Sequence, residues 1–202
     1  MIIITDIQQG TEAWFKEKLG KPSASNASKI IRNDGKPSTQ REGYLYELVA
    51  ETLTGVYENG YKNDAMLTGQ EREAEAREFY SFTNSVEVEQ VGMIYKDKDK
   101  KVLCSPDGLI NREHGLEMKN PLSKTQVKYL LDGCLPSEYF SQVQFSLFVT
   151  GFPFWDFLSY VPTMRPLMIR VEPDAKFQAA LKIELEKFIE ELDETVNKLR
   201  KE

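Results

Sequence analysis

The chain is poor in sulfur and imidazole. Its 202 residues include two cysteines, Cys104 and Cys134, and a single histidine, His114. Two thiols cannot build a zinc site or a four-cysteine iron-sulfur cluster without other ligands, so both are expected to be free and buried. His114 lies between Glu113 and Gly115 in a turn pattern, where a solvated side chain is expected and a Ser/His/Asp triad is excluded. Long apolar runs are also missing: the longest clusters, Phe145–Val149 and Phe152–Trp155, fall far short of the roughly 20 residues that span a bilayer. The start, Met-Ile-Ile-Ile-Thr-Asp, has no basic segment or cleavage pattern of a signal peptide, so a cytoplasmic protein with no membrane partner is expected. Finally, an excess of positive charge is absent. A formal net charge of −6 argues against a protein that coats nucleic acid with a broad basic surface, and leaves room only for a local basic groove.

What is present is enough apolar residue, 41%, for one buried core, and a single domain over 1–202 is the expectation. The part from 1 to 82 reads as helical: Thr11 to Leu19, a second stretch capped by Ser23 or Ser25 and running to Ile31, Tyr44 to Leu53 with Gly55 as its stop, and a helix from about Thr68 to Phe82. From 86 to 171 the period changes to two. Val86–Val91, Gly92–Tyr95, Val102–Cys104, Leu109–Ile110 and Leu116–Lys119 read as strands of one sheet, with Asn111 to Gly115 as a hairpin turn. Pro136-Ser137 opens an inserted helix that Gly151 closes, and Trp155–Val161 and Leu167–Val171 are two more strands. A C-terminal amphipathic helix over 174–200 puts Leu181, Leu185, Phe188, Leu192, Val196 and Leu199 on one face. This order predicts a mixed α/β domain with its sheet in the middle.

The acid-x-Lys pattern occurs four times, at Asp34, Asp99, Glu117 and Asp174. Three of these sit in polar loops or at a helix start, where a solvated charge pair explains them. Glu117-Met118-Lys119 alone lies inside an apolar strand. Alternate side chains share a face, so Glu117 and Lys119 project together, on the order of 6.6 Å apart, with Leu116 and Met118 toward the core. Ten residues earlier stands Asp107 in Ser105-Pro106-Asp107-Gly108, where the glycine is expected to permit a tight turn and a hairpin brings Asp107 beside Glu117. Two carboxylates and a backbone carbonyl are hard oxygen ligands suited to Mg²⁺, and Lys119 can hold or deprotonate a water. Phosphodiester hydrolysis is the chemistry such a set is shaped for. The competing reading is a buried salt bridge of Lys119 with either acid, at a considerable desolvation cost.

Ser105-Pro-Asp-Gly-Leu109 followed by Gly115-Leu-Glu-Met-Lys-Asn-Pro121 resembles the core of the restriction-endonuclease-like nucleases, and most closely the phage lambda exonuclease (YqaJ-type viral recombinase) family. Gln9 to Trp14 with Leu19-Gly20 and Ser23 to Ser25, Gly69 to Ala76, and Gln142 to Thr150 follow in the family's order, so the resemblance extends over nearly the whole chain. It implies a restriction-endonuclease-like α/β fold, with a central mixed sheet flanked by helices. It also implies that Asp107, Glu117 and the Met118 carbonyl bind the metal, two Mg²⁺ ions that Mn²⁺ can replace, that Glu73 adds a carboxylate to the second ion, and that Lys119 acts on the water. Without the resemblance, Glu73 reads as one more solvated helix glutamate. The family's 5′-phosphate pocket would fall to Ser25, Ser105, Gln142 and Lys18. The family's usual residue at the last position is arginine, and lysine brings the charge without the bidentate fork unless Arg32 is borrowed. Trp14 would sit by the entering duplex, or equally serve as a core residue under the first helix.

The activity implied is a 5′→3′ exonuclease on linear double-stranded DNA that releases 5′-mononucleotides and leaves 3′ single-stranded tails for recombination. A homotrimeric ring around the duplex and a single-strand annealing recombinase as partner come with the resemblance. Two other readings stand beside it: an endonuclease or repair nuclease on the same core, and a non-catalytic DNA-binding subunit whose carboxylates only make salt bridges.

Overall fold

A computed structural model describes residues 1–57 and 64–201, with side chains 64–71 outside the description. Of the block from 69 to 76, Gly69, Gln70 and Glu71 therefore lie outside the described side chains. The chain opens with a short strand that its pattern did not predict, β1 (Ile2–Ile4), before α1 (Glu12–Lys18). Thr11 caps α1, its hydroxyl accepting from the Trp14 N–H at 3.3 Å. The helix expected after Ser23 is a 3₁₀ turn, Ala24–Asn26, followed by the single-turn α2 (Ala27–Ile30). Neither serine caps it. Ser23 Oγ instead lies 3.3 Å from Ser25 Oγ. Next comes α3 (Arg41–Thr54), which stops at Gly55 in the left-handed region (φ 68°), where a side chain would be strained. Tyr44, Leu45, Leu48 and Val49 are buried on it as the periodicity predicts, whereas Leu53 is exposed.

After α4 (Asp64–Asn84), the expected strand Val86–Val91 does not form. Only Glu89 reaches a neighbour, exchanging two 2.8 Å backbone bonds with Leu109, because the Val91 carbonyl is taken by the Gln9 side chain rather than by a strand. The single sheet anticipated from the period-two region is two sheets. β1, β2 (Met93–Tyr95) and β3 (Leu103–Cys104) form an antiparallel three-stranded sheet. A second sheet has the order β4 (Gly108–Ile110), β5 (His114–Lys119), β6 (Trp155–Ser159), β7 (Leu167–Val171). It is mixed, with β5 and β6 parallel and the outer pairs antiparallel. The parallel crossover from β5 to β6 carries two helices, α5 (Ser123–Asp132) and α6 (Ser137–Thr150). α5 escapes the sequence pattern because only Gln126 and Tyr129 are buried on it, while Leu122, Val127 and Leu131 are exposed.

The last helix, α7 (Ala175–Lys201), lays Phe177, Leu181, Leu185, Phe188, Leu192 and Val196 into the main core against α3 and α6. Each such side chain contributes about 2 kcal/mol of apolar burial. Leu199, expected on that face, is half-exposed. A second, smaller cluster joins Ala76 and Tyr80 of α4 to Ile110, Leu116, Met118 and Leu158. Two expectations about single residues also fail. His114 is not solvated: it opens β5 with its ring 4.4 Å from that of Phe154 and Nε2 3.6 Å from Asp156 Oδ2. Cys134 is exposed, and only Cys104 is buried. Among the described residues no helix is long and apolar enough to cross a membrane.

Candidate metal centre and phosphate pocket

The hairpin of β4 and β5 places the charged residues. Gly108 pairs with Leu116 and Ile110 with His114, and the Asp107 N–H extends the ladder to the Leu116 carbonyl at 3.1 Å. The turn itself is carried by Asn111 and Arg112 at φ 53° and 58°, not by Gly115, which sits inside β5. Gly108 is not among the residues at positive φ, so its role is not the tight turn expected of it. It is required because a Cβ there would lie 2.1 Å from Val88 Cγ1. Gly115 is demanded likewise by the Trp155 ring, 2.3 Å from the Cβ it lacks.

On β5 the alternation holds. Leu116 and Met118 point to α4, and Glu117 points to α6. Glu117 is only 2% exposed, and its Oε1 accepts from Lys119 Nζ at 2.5 Å and from Gln142 Nε2 at 2.6 Å. Asp107 reaches across the hairpin end, Oδ2 accepting from the Met118 N–H at 2.6 Å. In an antiparallel ladder the N–H and C=O of a residue point to the same neighbour, so the Met118 carbonyl also faces the edge beside Asp107, beyond the end of β4. Lys119 Nζ lies 5.1 Å from the centre of the Tyr139 ring.

The electrostatics are those of a site with too much negative charge. Burial, then the charge of Glu117, pushes the Asp107 carboxyl up to about 8, against the pull of Lys119 and the Met118 N–H. Burial also raises Glu73, with Glu117 adding to it and Arg77 and Lys119 opposing. Lys119 is disfavoured as a cation by burial, yet Glu117 and Asp107 outweigh that and hold it above the ordinary lysine range. One lysine thus serves buried Glu117 and half-buried Asp107, with a third acid nearby. A divalent cation among all-oxygen donors would relieve that imbalance, and the residues fit Mg²⁺ in this respect. Among the described residues no three His, Cys, Asp or Glu side chains gather closely enough to hold an ion by themselves. An ion here would rest on Asp107, Glu117, the Met118 carbonyl and water.

Glu73 lines a cleft of about 540 Å³ together with Asp107, Arg77, Gln9 and Gln90. The sequence pattern marks neither Arg77 nor Gln90, and Gln9 only as part of a motif. The one signal available was that Arg77 follows Glu73 by four positions, hence on the same helix face.

The residues expected in the phosphate pocket fall into two groups. Ser23 bridges Leu103, and the Leu103 N–H donates to the Pro22 carbonyl at 3.3 Å, so the Ser25 turn runs beside β3, whose chain continues into Ser105. Ser105 Oγ is buried without a partner among the described residues, an open acceptor and donor beside Asp107. α6 packs on both that turn and β3 and delivers Gln142 to Glu117. Lys18 stands on α1: its Nζ lies 3.9 Å from the Trp14 ring centre, and burial lowers it to about 8, with Glu51 partly offsetting this. Among the described residues no hydrogen bond or ion pair joins Lys18 to Ser25, Ser105 or Gln142. Trp14 donates from Nε1 to the Gly92 carbonyl at 2.9 Å and packs on Met93, Tyr95 and Leu103. Arg32, the arginine available for loan, is exposed and engaged with Asp34.

The fold has solved counterparts. An alkaline exonuclease (LHK-Exo) from Laribacter hongkongensis is 30% identical, with a TM-score of 0.83 over 95% of this chain and 97% of that one. The same protein in complex with dAMP matches equally. A phage-related exonuclease from Haemophilus somnus 129PT shares the fold at 14% identity, with a TM-score of 0.65 over 89% of this chain and 96% of that one. The architecture is therefore a restriction-endonuclease-like core. In sequence, an uncharacterized protein of Acanthamoeba polyphaga mimivirus is 29% identical over 168 residues, 77% of this chain, which spans only 29% of that protein's length. Residues 13–153 match the YqaJ-like viral recombinase domain, and the chain belongs to that family.

Proposed function

We propose that this protein is a Mg²⁺-dependent nuclease acting on DNA, and more narrowly an exonuclease that degrades one strand of linear duplex from its 5′ end to 5′-mononucleotides. The observation that carries the reading is the gathering of half-buried Asp107, buried Glu117 and half-buried Lys119 on one hairpin, two acids to one lysine. A salt bridge alone accounts for one acid and one lysine, and leaves the second acid as an unexplained cost. The similar alkaline exonuclease from Laribacter, solved in complex with dAMP, supports a nucleic-acid substrate.

In this reading Asp107, Glu117 and the Met118 carbonyl hold Mg²⁺, with Glu73 contributing to a second ion and Mn²⁺ able to substitute. When bound, the ions polarise the phosphodiester and stabilise the leaving oxygen. Lys119 orients the attacking water through its ammonium, a role its raised pKa suits better than proton removal while both carboxylates are charged. Gln142 keeps Glu117 in place from α6. Ser105 and Ser25 offer hydroxyls to a terminal phosphate, and Lys18 over Trp14 supplies local positive charge near the incoming strand. A homotrimeric ring would let a chain of net charge −6 retain duplex with few basic contacts, and the 3′ tails would pass to a single-strand annealing recombinase.

Linear duplex labelled at either the 5′ or the 3′ end, incubated with Mg²⁺, tests the proposal. The 5′ label is expected in mononucleotides from the first turnovers, while closed circular duplex stays intact. Early release of the 3′ label would reverse the polarity, cleavage of the circle would indicate an endonuclease, and no Mg²⁺-dependent release at all would end the enzymatic reading.

A further inference from the structure

The backbone on both sides of Asp107 is held by side chains from distant parts of the chain. Gln9 uses the two hydrogens of its amide nitrogen to bind the Pro106 carbonyl at 2.7 Å and the Val91 carbonyl at 2.8 Å. Arg77, one turn beyond Glu73 on α4, directs Nε to the Asp107 carbonyl at 3.4 Å. Both of its terminal nitrogens lie 3.0 Å from the Gln90 side-chain oxygen when that amide is turned toward them. The Asp107 side chain is itself tied to the Met118 N–H. The carbonyls before and after its Cα and its carboxylate thus have separate anchors, from the N-terminal segment, α4 and β5.

These anchors do little for the core. Gln9 and Arg77 belong to none of the apolar clusters, and both line the cleft that opens onto Glu73 and Asp107. The Nε contact is long, so Arg77 stays in place chiefly through its two-pronged hold on Gln90. We infer that Gln9 and Arg77 are positioning residues. They fix the peptide planes flanking Asp107, so that its carboxylate stays aligned with Glu117 and the Met118 carbonyl for a divalent cation. The inference rests on the metal-nuclease reading and deepens it. Its rival is that the Arg77 guanidinium grips DNA lying in the cleft.

The test uses the full chain with Gln9→Met, Arg77→Met and the conservative Arg77→Lys. Ca²⁺ binding is measured by calorimetry without DNA, and steady-state cleavage of linear duplex is measured across a Mg²⁺ titration. Both methionine variants are expected to weaken Ca²⁺ binding, and to raise the Mg²⁺ concentration for half-maximal activity, by about tenfold, the usual effect of losing a group that orients a metal ligand. At saturating Mg²⁺ kcat falls while KM for DNA ends stays within about twofold, because the lost contact is not to substrate. Arg77→Lys regains much of the cation affinity, since an ammonium can still donate to the Asp107 carbonyl. A raised KM with unchanged Ca²⁺ affinity assigns Arg77 to DNA and overturns the inference, as do variants indistinguishable from wild type. If Gln9→Met fails to fold, the two Arg77 variants decide alone. Wild-type protein that neither binds Ca²⁺ nor releases nucleotides overturns the nuclease reading itself, an outcome distinct from an active wild type with unaffected variants.

Discussion

Cation binding should release a proton, and the proton should come from Asp107. With its carboxyl raised to about 8 by burial and by Glu117, the cation-free protein keeps that group largely protonated at neutral pH. A divalent ion needs the ionised form, so it must displace the proton. Each pH unit well below 8 then changes the apparent affinity about tenfold, or about 1.4 kcal/mol. Between pH 7 and 8 the gain shrinks to about fivefold, and above 9 it nearly vanishes, as the ionised fraction saturates. Calorimetric titration with Ca²⁺ in two buffers of different protonation enthalpy reads the proton directly. Close to one proton should be released at pH 7 and little at pH 9.5, and Asp107→Asn should release none from this site. Stability changes with the opposite sign in the absence of cation. The unfolded carboxyl ionises near 3.8, so between that pH and about 8 the unfolded state binds fewer protons than the folded one. Cation-free melting temperature should therefore fall as pH rises through that window and level off above it, and saturating Ca²⁺ should flatten the trend, because the ion-bound and unfolded states both carry the carboxyl ionised. Affinity that stays constant from pH 6 to 8, or a proton release that survives in Asp107→Asn, would refute the electrostatic reasoning.

Glu117→Gln and Lys119→Met should each lower cleavage by at least about a thousandfold with the melting temperature within a few degrees of wild type, as gel assays and calorimetry can check; activity within tenfold would move the centre elsewhere. Lys18→Ala should reduce discrimination between 5′-phosphorylated and 5′-hydroxyl ends by about tenfold, and equal cutting of both ends by wild type would remove the phosphate pocket. Asp156 accepts from Tyr80 at 2.7 Å and from Arg170 at 3.0 and 3.1 Å beneath the sheet, so Asp156→Ala should cost about 2 kcal/mol in urea unfolding by leaving the Tyr80 hydroxyl unpaired. A change under about 0.5 kcal/mol would mean that water replaces the carboxylate.

The centre was legible in the sequence because it is local. Asp107, Glu117 and Lys119 sit on one hairpin, and a period-two strand with a turn signal is enough to bring them together. α7 and α3 were legible for a similar reason, since each buries one repeating face. Elements that depend on distant partners were not. β1 is three isoleucines that acquire strand character only by pairing with β2, about ninety residues away. Val86–Val91 has a strand's alternation but meets a glutamine side chain and a helix where a strand would need a neighbour. α5 has no buried stripe to reveal it. The same division runs through the site. The groups that face a cation are written in a motif of a dozen residues, whereas the groups that hold them, Gln9, Arg77 and Gln142, come from three other elements.

That division has a physical origin. A carboxylate that must meet an ion at bonding distance can be specified by its own strand, because the register of a hairpin fixes it to within a fraction of an ångström. The orientation of its peptide planes cannot be fixed so locally here, because β4 begins only at Gly108 and the ladder does not extend back past Asp107 to hold the neighbouring carbonyls. The backbone groups freed at that end must find partners or water. In this chain Gln9 and Arg77 supply them from the rim of the cleft. Starting the strand only after Asp107 thus frees the Met118 carbonyl edge for an ion and, in the same step, creates the need for side chains to hold the segment before it.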